Sequence, residues 1–394
     1  MLLLLACNRE PTPTAKHVLL VVVDTLRADV VAEAHVPCID GLAASGTRAG
    51  RAWSAGTWTV PSVVSILTGM PVRQHGWDLP AGWLGEYPRL PDAPTVASVL
   101  ADAGFGTLGL YANPYLAEPL GFDRGFATWR KTSDAAMAAA FAQEVAARWG
   151  DGRRHFAYLH PLGPHAPLRP SAEALARWDV GHEWIEIPGG LDVGAAQRNQ
   201  PPGARDVYPR AYRAAVEDTD TLVCALLAGL GPHRADTAVV LTSDHGEMLG
   251  GHGFLGHGKW VWETLTNVPL VVDRPVDLPE IVGGAQIAAL VTELAGVPHA
   301  WPTPLRHDGP LVAQREGLVA LTPDGRRKAI WSPSLAVYDL AADPKEKAPL
   351  ADDGSLVAAR ERWEAEVPAG PPLARVRKPA PETVEQLEKL GYVE

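Results

Sequence analysis

The sequence predicts an α/β fold, a mostly parallel central sheet sandwiched between helical layers, followed by a small C-terminal α+β subdomain. Two observations predict the sheet. The aliphatic runs His17–Val23 and Ala238–Thr242 are unbroken, which is the pattern of strands buried on both faces in a helix-covered parallel sheet. Each run then ends in polar residues, Asp24 in one and Ser243-Asp244-His245 in the other, at the strand end where α/β proteins place ligands. A third observation predicts the subdomain: from about Pro302 short alternating segments replace the long apolar runs.

The elements follow in order. After the first strand and Asp24-Thr25-Leu26-Arg27-Ala28-Asp29, Cys38 to Ser45 reads as a helix and Thr47 to Trp53 as a short strand. A hydroxyl-rich turn, Gly56-Thr57-Trp58-Thr59-Val60, then runs into Pro61, which suits the start of a helix that Gly69 terminates. Thr59 is thereby expected just ahead of a helix N-terminus, where such a hydroxyl is usually a plain N-cap and an anion-facing hydroxyl is the alternative. Arg73-Gln74-His75-Gly76 closes this stretch, and residues 77 to 94, rich in Trp, Pro and Gly, read as a loop.

Two αβ units come next: helix Thr95 to Ala103 with strand Gly106 to Tyr111, and helix Ser133 to Trp149 with strand Phe156 to Leu159. The first ends at Asn113-Pro114. The second empties into a proline-stiffened loop that carries His160 and His165, and loop histidines are most often surface residues. Residues 168 to 206 show little pattern and read as a surface excursion. A long helix from Tyr208 to Leu230 leads to the second aliphatic strand, to Ser243-Asp244-His245-Gly246-Glu247, and to a Gly-rich loop with His252, His257 and Lys259. Strand Val268 to Val272 and helix Gly284 to Leu294 complete the large body. Beyond it, strands at Leu318 to Leu321, Lys328 to Trp331 and Leu335 to Tyr338 precede helices at Gly354 to Ala365 and Pro381 to Leu390. The predicted division is residues 1–14 as a signal remnant and linker, 15–300 as the catalytic domain and 301–394 as the subdomain.

Composition narrows the function. With 394 residues, 46% of them hydrophobic and 21% charged, the chain is enzyme-sized and globular, and a net charge of −11 without any Lys/Arg cluster excludes nucleic acid as a partner. Three cysteines provide no disulfide framework; Cys38 and Cys224 are either a pair or two inert thiols. Leu4-Leu5-Ala6-Cys7 resembles the lipobox of bacterial lipoproteins, although only Leu2 to Ala6 precede the cysteine, fewer than the about 7 to 15 apolar residues of a signal peptide. Export would make Cys7 a lipid anchor on a periplasmic or outer-surface protein. Without export the chain is cytoplasmic.

Adjacent Asp244 and His245 at a strand end, followed by Gly246, offer two different ligand types to a divalent cation. These motifs together resemble the sulfatases of the alkaline phosphatase superfamily. Thr59-Val60-Pro61-Ser62-Val63 stands where that family has Cys-x-Pro-Ser-Arg, Val23-Asp24-Thr25-Leu26-Arg27-Ala28-Asp29 matches its first metal motif, and Ser243-Asp244-His245-Gly246-Glu247 its second. Pro164-His165-Ala166-Pro167 matches the histidine loop between them, and Tyr338-Asp339-Leu340-Ala341-Ala342-Asp343-Pro344 and Leu390-Gly391-Tyr392-Val393 resemble its C-terminal motifs. The resemblance implies an alkaline-phosphatase-like αβα sandwich.

Departures from the pattern direct the expected chemistry. Sulfatases convert the signature cysteine to formylglycine, which Thr59 cannot form; Val63 replaces the signature arginine and Thr25 a second metal aspartate. No Asp lies near Gly163, which argues against a second metal. The remaining set, Asp24, Thr59, Asp244 and His245, resembles the site of the superfamily's phosphodiesterases and phosphoglycerol transferases, and its imidazole suits one Mn²⁺ or Zn²⁺ better than Ca²⁺. The expected activity is therefore hydrolysis of phosphate or phosphonate esters, or phosphoryl-type transfer, with Thr59 as nucleophile. His165 and His257 are candidates for leaving-group acid or anion contacts, Lys259 competes with His257, and Asn113 is a further substrate contact. A small-molecule, glycan or lipid ester is the expected substrate. Two other readings stay open: a sulfate ester hydrolase without formylglycine, and an inactive lipoprotein that binds glycans or anions.

Overall fold

The computed structural model describes residues 15–78, 87–184, 186 and 190–376. The Cys7 segment, part of the 77–94 loop, the helix expected at Pro381 to Leu390 and the Leu390–Val393 motif lie outside the described residues.

A seven-stranded sheet forms the centre. In chain order its strands are β1 (His17–Val23), β2 (Thr47–Arg48), β3 (Gly106–Tyr111), β4 (Thr128–Lys131), β5 (His155–His160), β6 (Thr237–Ser243) and β7 (Leu270–Val272), arranged β2-β7-β6-β1-β5-β3-β4. The run from β6 to β4 is parallel, and β7 and β2 add an antiparallel edge. Every residue of β1 is buried, and alternate side chains enter two cores. Val18, Leu20 and Val22 pack with the Thr59–Thr68 helix and the Ile287–Leu294 helix; Leu19, Val21 and Val23 pack with the Asp134–Arg148 and Ala204–Gly229 helices. Each fully buried aliphatic contributes about 1.5–3 kcal/mol, so this strand, covered on both sides, is the centre of the αβα sandwich.

Several expected elements are corrected. Thr47 to Trp53 is not one strand: β2 joins the central sheet, whereas Arg51–Trp53 forms a small sheet between Asn267–Val268 and Ile281–Gly283. Val268 to Val272 is likewise divided at Pro269, which has no N–H to continue a ladder. The 168–206 region is no bare excursion, because Leu168, Leu175, Leu191 and Ala196 reach the core and short helices form at Ala172–Arg177 and Val193–Arg198. The short β4 at the sheet edge gave no readable alternation.

The C-terminal unit is an antiparallel sheet in chain order, β8 (Leu311–Arg315), β9 (Leu318–Thr322), β10 (Arg327–Ser332) and β11 (Ser334–Asp339), of which β8 was not anticipated. One face packs against Leu356 and Ala359 of the Ser355–Glu366 helix, the other against Trp53 and Val261 of the large body. At that junction Lys328 is buried, paired with Glu346 at 2.7 Å and Glu263 at 3.3 Å. No helix among the described residues is long and apolar enough to cross a membrane.

Cys38 and Cys224 form a disulfide that ties the Pro37–Ser45 helix to the long Ala204–Gly229 helix. It closes a loop with a sequence separation of 186, so the unfolded chain loses considerable freedom. Replacing both cysteines with serine should therefore cost about 3–5 kcal/mol, read as a lower denaturant midpoint, and thiol reduction should match the double variant. Equal midpoints for parent and variant would show that the bridge adds no stability.

Candidate active site

Strand register assembles the site. β1 and β6 pair residue for residue from His17 with Thr237 to Val23 with Ser243, so Asp24 and Asp244 leave adjacent strands side by side. β5 on the other side of β1 ends at His160, and β3 beyond it leads to Asn113. Asp24, Asp244, His245, His160 and Asn113 are all fully buried. Four consecutive parallel strands thus direct polar residues to one point at their carboxyl ends.

Thr59 closes this point from above. It is the first residue of the Thr59–Thr68 helix, with Trp58 before it, so it lies one position further into the helix than expected and Pro61 falls at the third. The first-turn N–H groups have no intrahelical acceptor, so proline is tolerated throughout that turn. Asn113 Nδ2 donates to Asp24 Oδ2 at 2.7 Å and to Thr59 Oγ1 at 3.1 Å, and Thr59 Oγ1 lies 3.4 Å from the same Asp24 oxygen. The helix is entirely buried and ends at Gly69, whose φ of 68° favours glycine and where a Cβ would meet Trp301 at 3.0 Å. His75 braces it, with Nε2 3.0 Å from Ser65 Oγ and Nδ1 accepting the Trp77 amide.

The histidines share one orientation. Nδ1 of His245 bonds the Gly246 carbonyl at 2.9 Å and Nδ1 of His165 the Ala166 carbonyl at 2.5 Å. A carbonyl only accepts, so these Nδ1 atoms carry the proton and Nε2 offers a lone pair. His160 Nδ1 is held by Tyr158 OH at 2.8 Å and His257 Nδ1 by Glu247 Oε2 at 2.8 Å. Arg27 joins the two sequence motifs by binding Asp29 and donating to the Glu247 carbonyl at 2.8 Å.

His245 Nε2 lies 3.6 Å from Asp24 Oδ1 and 3.5 Å from Asp244 Oδ2; His160 Nε2 lies 3.6 Å from Asp24 Oδ2 and 3.8 Å from Asp244 Oδ2. Asp24 Oδ1, Asp244 Oδ2, His160 Nε2 and His245 Nε2 are buried without a hydrogen-bond partner among the described residues. Polar atoms left so cost free energy unless something binds them. Charge makes the same demand. Burial pushes carboxyls up, and with the Asp24 charge beside it Asp244 is raised well above the usual range. A divalent cation removes the conflict, and Asp24, His160 and Asp244 come close enough to share one. His245 suits the same role, since burial and His257 hold it well below its ordinary value and hence neutral.

His160 is the residue that sequence reasoning missed. Both His160 and His165, expected at the surface, are buried, and β5 extends one residue beyond the predicted strand to deliver His160 into the cluster. The proline after it hid that extension. His165 and His257 lie over the same point with ring centres 5.0 Å apart, and His257 is 4.5 Å from His245. Lys259 is exposed and bonds to none of these residues among those described. Val63, at the signature arginine position, is buried in the apolar core. Thr25 adopts a φ of 58°, rare for a β-branched residue, and its amide donates to Asp244 Oδ1 at 3.2 Å.

Two variants test the candidate metal centre. Asp244→Asn should lose the bound metal. Tyr158→Phe, which removes only the partner of His160, should weaken metal affinity about 10- to 100-fold. Metal titration followed by elemental analysis checks both, and an Asp244→Asn protein as metal-rich as the parent would misplace the centre.

Comparison with known proteins places this geometry. The sequence model of the sulfatase family matches residues 16–294. The uncharacterized sulfatase YidJ of Escherichia coli K12 is 34% identical over 65 residues, a stretch spanning 16% of this chain and only 13% of that protein. The fold is that of the 2-O GAG sulfatase BT1596 (TM-score 0.67, 17% identity, 89% of this chain and 91% of that one). It is also that of the phosphonate monoester hydrolase SpPMH from Silicibacter pomeroyi (TM-score 0.66, 18% identity, 90% and 96%). With the family pattern running through both metal motifs and the Thr59 helix, the chain belongs to the sulfatase family, hydrolases of the alkaline phosphatase superfamily.

Proposed function

We propose that the chain hydrolyses phosphate or phosphonate esters bearing a single negative charge, phosphodiesters or phosphonate monoesters, with Thr59 as nucleophile and one divalent metal. The observation that carries this is the Thr59 hydroxyl at a helix N-terminus, beside four buried ligand atoms without a hydrogen-bond partner among the described residues. Asp24, Asp244, His245 and His160 would hold the metal, and their two nitrogens favour Mn²⁺ or Zn²⁺ over Ca²⁺. Bound there, the cation would lower the pKa of the Thr59 hydroxyl and offset charge on the non-bridging oxygens.

The protein's own groups supply the rest. Thr59 Oγ1, its proton released to solvent once its pKa is lowered, attacks phosphorus as the bond to the ester oxygen breaks; the first-turn amides of its helix face the developing charge, and Asn113 orients the attacking oxygen. Burial alone would lower the His257 pKa, but the Glu247 carboxylate outweighs it, so His257 is raised and enters as an imidazolium that donates to the departing oxygen. His165, lowered by burial, is neutral and accepts a proton from the water that cleaves the phosphothreonine. An alcohol in place of that water gives transfer instead of hydrolysis. Two carboxylates balance one dication and leave His257 to meet one further negative charge. Arg27 and Arg315, which would strengthen the site for a dianion, are already paired to carboxylates.

The Cys38–Cys224 bridge supports an oxidising compartment, and with Cys7 as a lipid anchor we place the chain at the periplasmic or outer surface. Residues 15–300 form the catalytic unit in this reading and 301–394 an accessory one.

A side-by-side assay tests the chemistry: kcat/KM for bis-p-nitrophenyl phosphate and p-nitrophenyl phenylphosphonate should exceed that for p-nitrophenyl phosphate and p-nitrophenyl sulfate. Preference for the sulfate would establish a sulfatase that works without formylglycine. Thr59→Ala should lose about a thousandfold or more in kcat while Thr59→Ser keeps part of it, and protein quenched during turnover should carry its adduct on Thr59. An adduct on Ser62 would overturn the assignment.

A further inference from the structure

Arg315 ends β8, far from the large body in sequence, yet it is only 3% exposed and lies against the catalytic loops. Its Nε donates to the Gly258 carbonyl at 2.5 Å, Nη1 to Asp78 Oδ1 at 2.8 Å, and Nη2 meets Glu316 Oε1 at 3.0 Å. The guanidinium lies over the Trp58 ring, 5.3 Å from its centre. Asp78 in turn accepts from Trp58 Nε1 at 3.0 Å and from the Glu316 amide at 2.6 Å. One side chain thus grips the residue immediately before Thr59 and the residue immediately after His257.

Stability alone does not call for an ion here, because a buried ion pair is often no better than an apolar residue of the same volume. The fork supplies geometry instead. Gly256 and Gly258, flanking His257, have φ of 92° and 75° and no side chain to anchor them. Among the described residues a single backbone hydrogen bond joins the two loops directly, Gly258 N–H to Thr57 C=O at 2.9 Å, and one such bond permits rotation about itself. A planar guanidinium with three fixed donor directions opposes that rotation; a lysine ammonium does not. Resting on the roles given above to Thr59 and His257, we infer that Arg315 is a positioning residue that holds nucleophile and acid in register, so the C-terminal sheet completes the active site.

The test compares parent, Arg315→Ala, Arg315→Lys and Asp78→Asn by hydrogen-exchange mass spectrometry and by kinetics on bis-p-nitrophenyl phosphate. In Arg315→Ala, exchange should rise in both the 55–62 and 255–262 segments, and kcat should fall about 10- to 100-fold with KM changed less than about threefold. Ethylguanidinium should restore part of kcat to Arg315→Ala, whereas Arg315→Lys should recover little. A merely structural loss would not be rescued in this way. A folded Arg315→Ala with parental exchange and kcat overturns the inference. Should that variant fail to fold, Asp78→Asn keeps an oxygen for Trp58 and Arg315 but removes the carboxylate charge and the acceptor of the Glu316 amide, which weakens that arm of the fork, and it must show the same effects in smaller measure; unchanged exchange and kcat would again overturn it. If the parent turns over none of the esters, raised exchange in both segments upholds the clamp and rejects the assigned chemistry, while unchanged exchange rejects the clamp.

Discussion

Two carboxylates placed side by side in a dry interior are the constraint around which this molecule is arranged. The β1–β6 ladder runs in register to its last pair, Val23 with Ser243, and so has no freedom to separate Asp24 from Asp244. Both side chains are wholly buried, and two adjacent negative charges there are unfavourable unless a cation compensates them. The surroundings fit that requirement. His160 and His245 arrive from flanking strands with Nε2 inward, and the Thr59 helix brings the positive end of its dipole. Fold and chemistry are therefore coupled through one electrostatic condition.

The departures from the family signature act together. Thr59 alone would be a small change, but Val63, at the signature arginine position, is itself buried in the apolar core. Gly246, between the metal-motif histidine and Glu247, approaches the Thr264 carbonyl so closely that a Cβ would lie 2.1 Å from it. The motif backbone is thus held by packing that tolerates little variation, while the groups presented to substrate have changed. That separation of scaffold from chemistry is what lets one family fold carry different esters.

The C-terminal sheet is joined to the large body by specific polar contacts as well as by apolar area. Gln314 N–H donates to the Ala55 carbonyl at 2.9 Å, just ahead of the Thr59 turn, and Arg315 reaches the Gly258 carbonyl beside His257. On the other side of the junction, Lys328 is satisfied by Glu346 and Glu263 and lies over the Trp53 ring. Separating the units would take Glu263 and Trp53 away from the buried Lys328 ammonium, so the two are expected to unfold together rather than separately.

The sequence by itself determined the fold class, the strands of the parallel core and the polar residues at their ends. A run such as Leu19-Leu20-Val21-Val22-Val23 can be buried on both faces only in a covered sheet, and adjacent Asp244 and His245 after such a run have few structural uses. These signals are local, carried by neighbours in the chain. Tertiary structure alone decided which distant residues meet. It paired Cys38 with Cys224, moved His160 from an expected loop to the end of β5, and left Lys259 exposed while bringing Arg315 from another sheet to the loop beside it. Strand register and helix packing set those meetings, and they depend on contacts between segments that no short window of sequence contains.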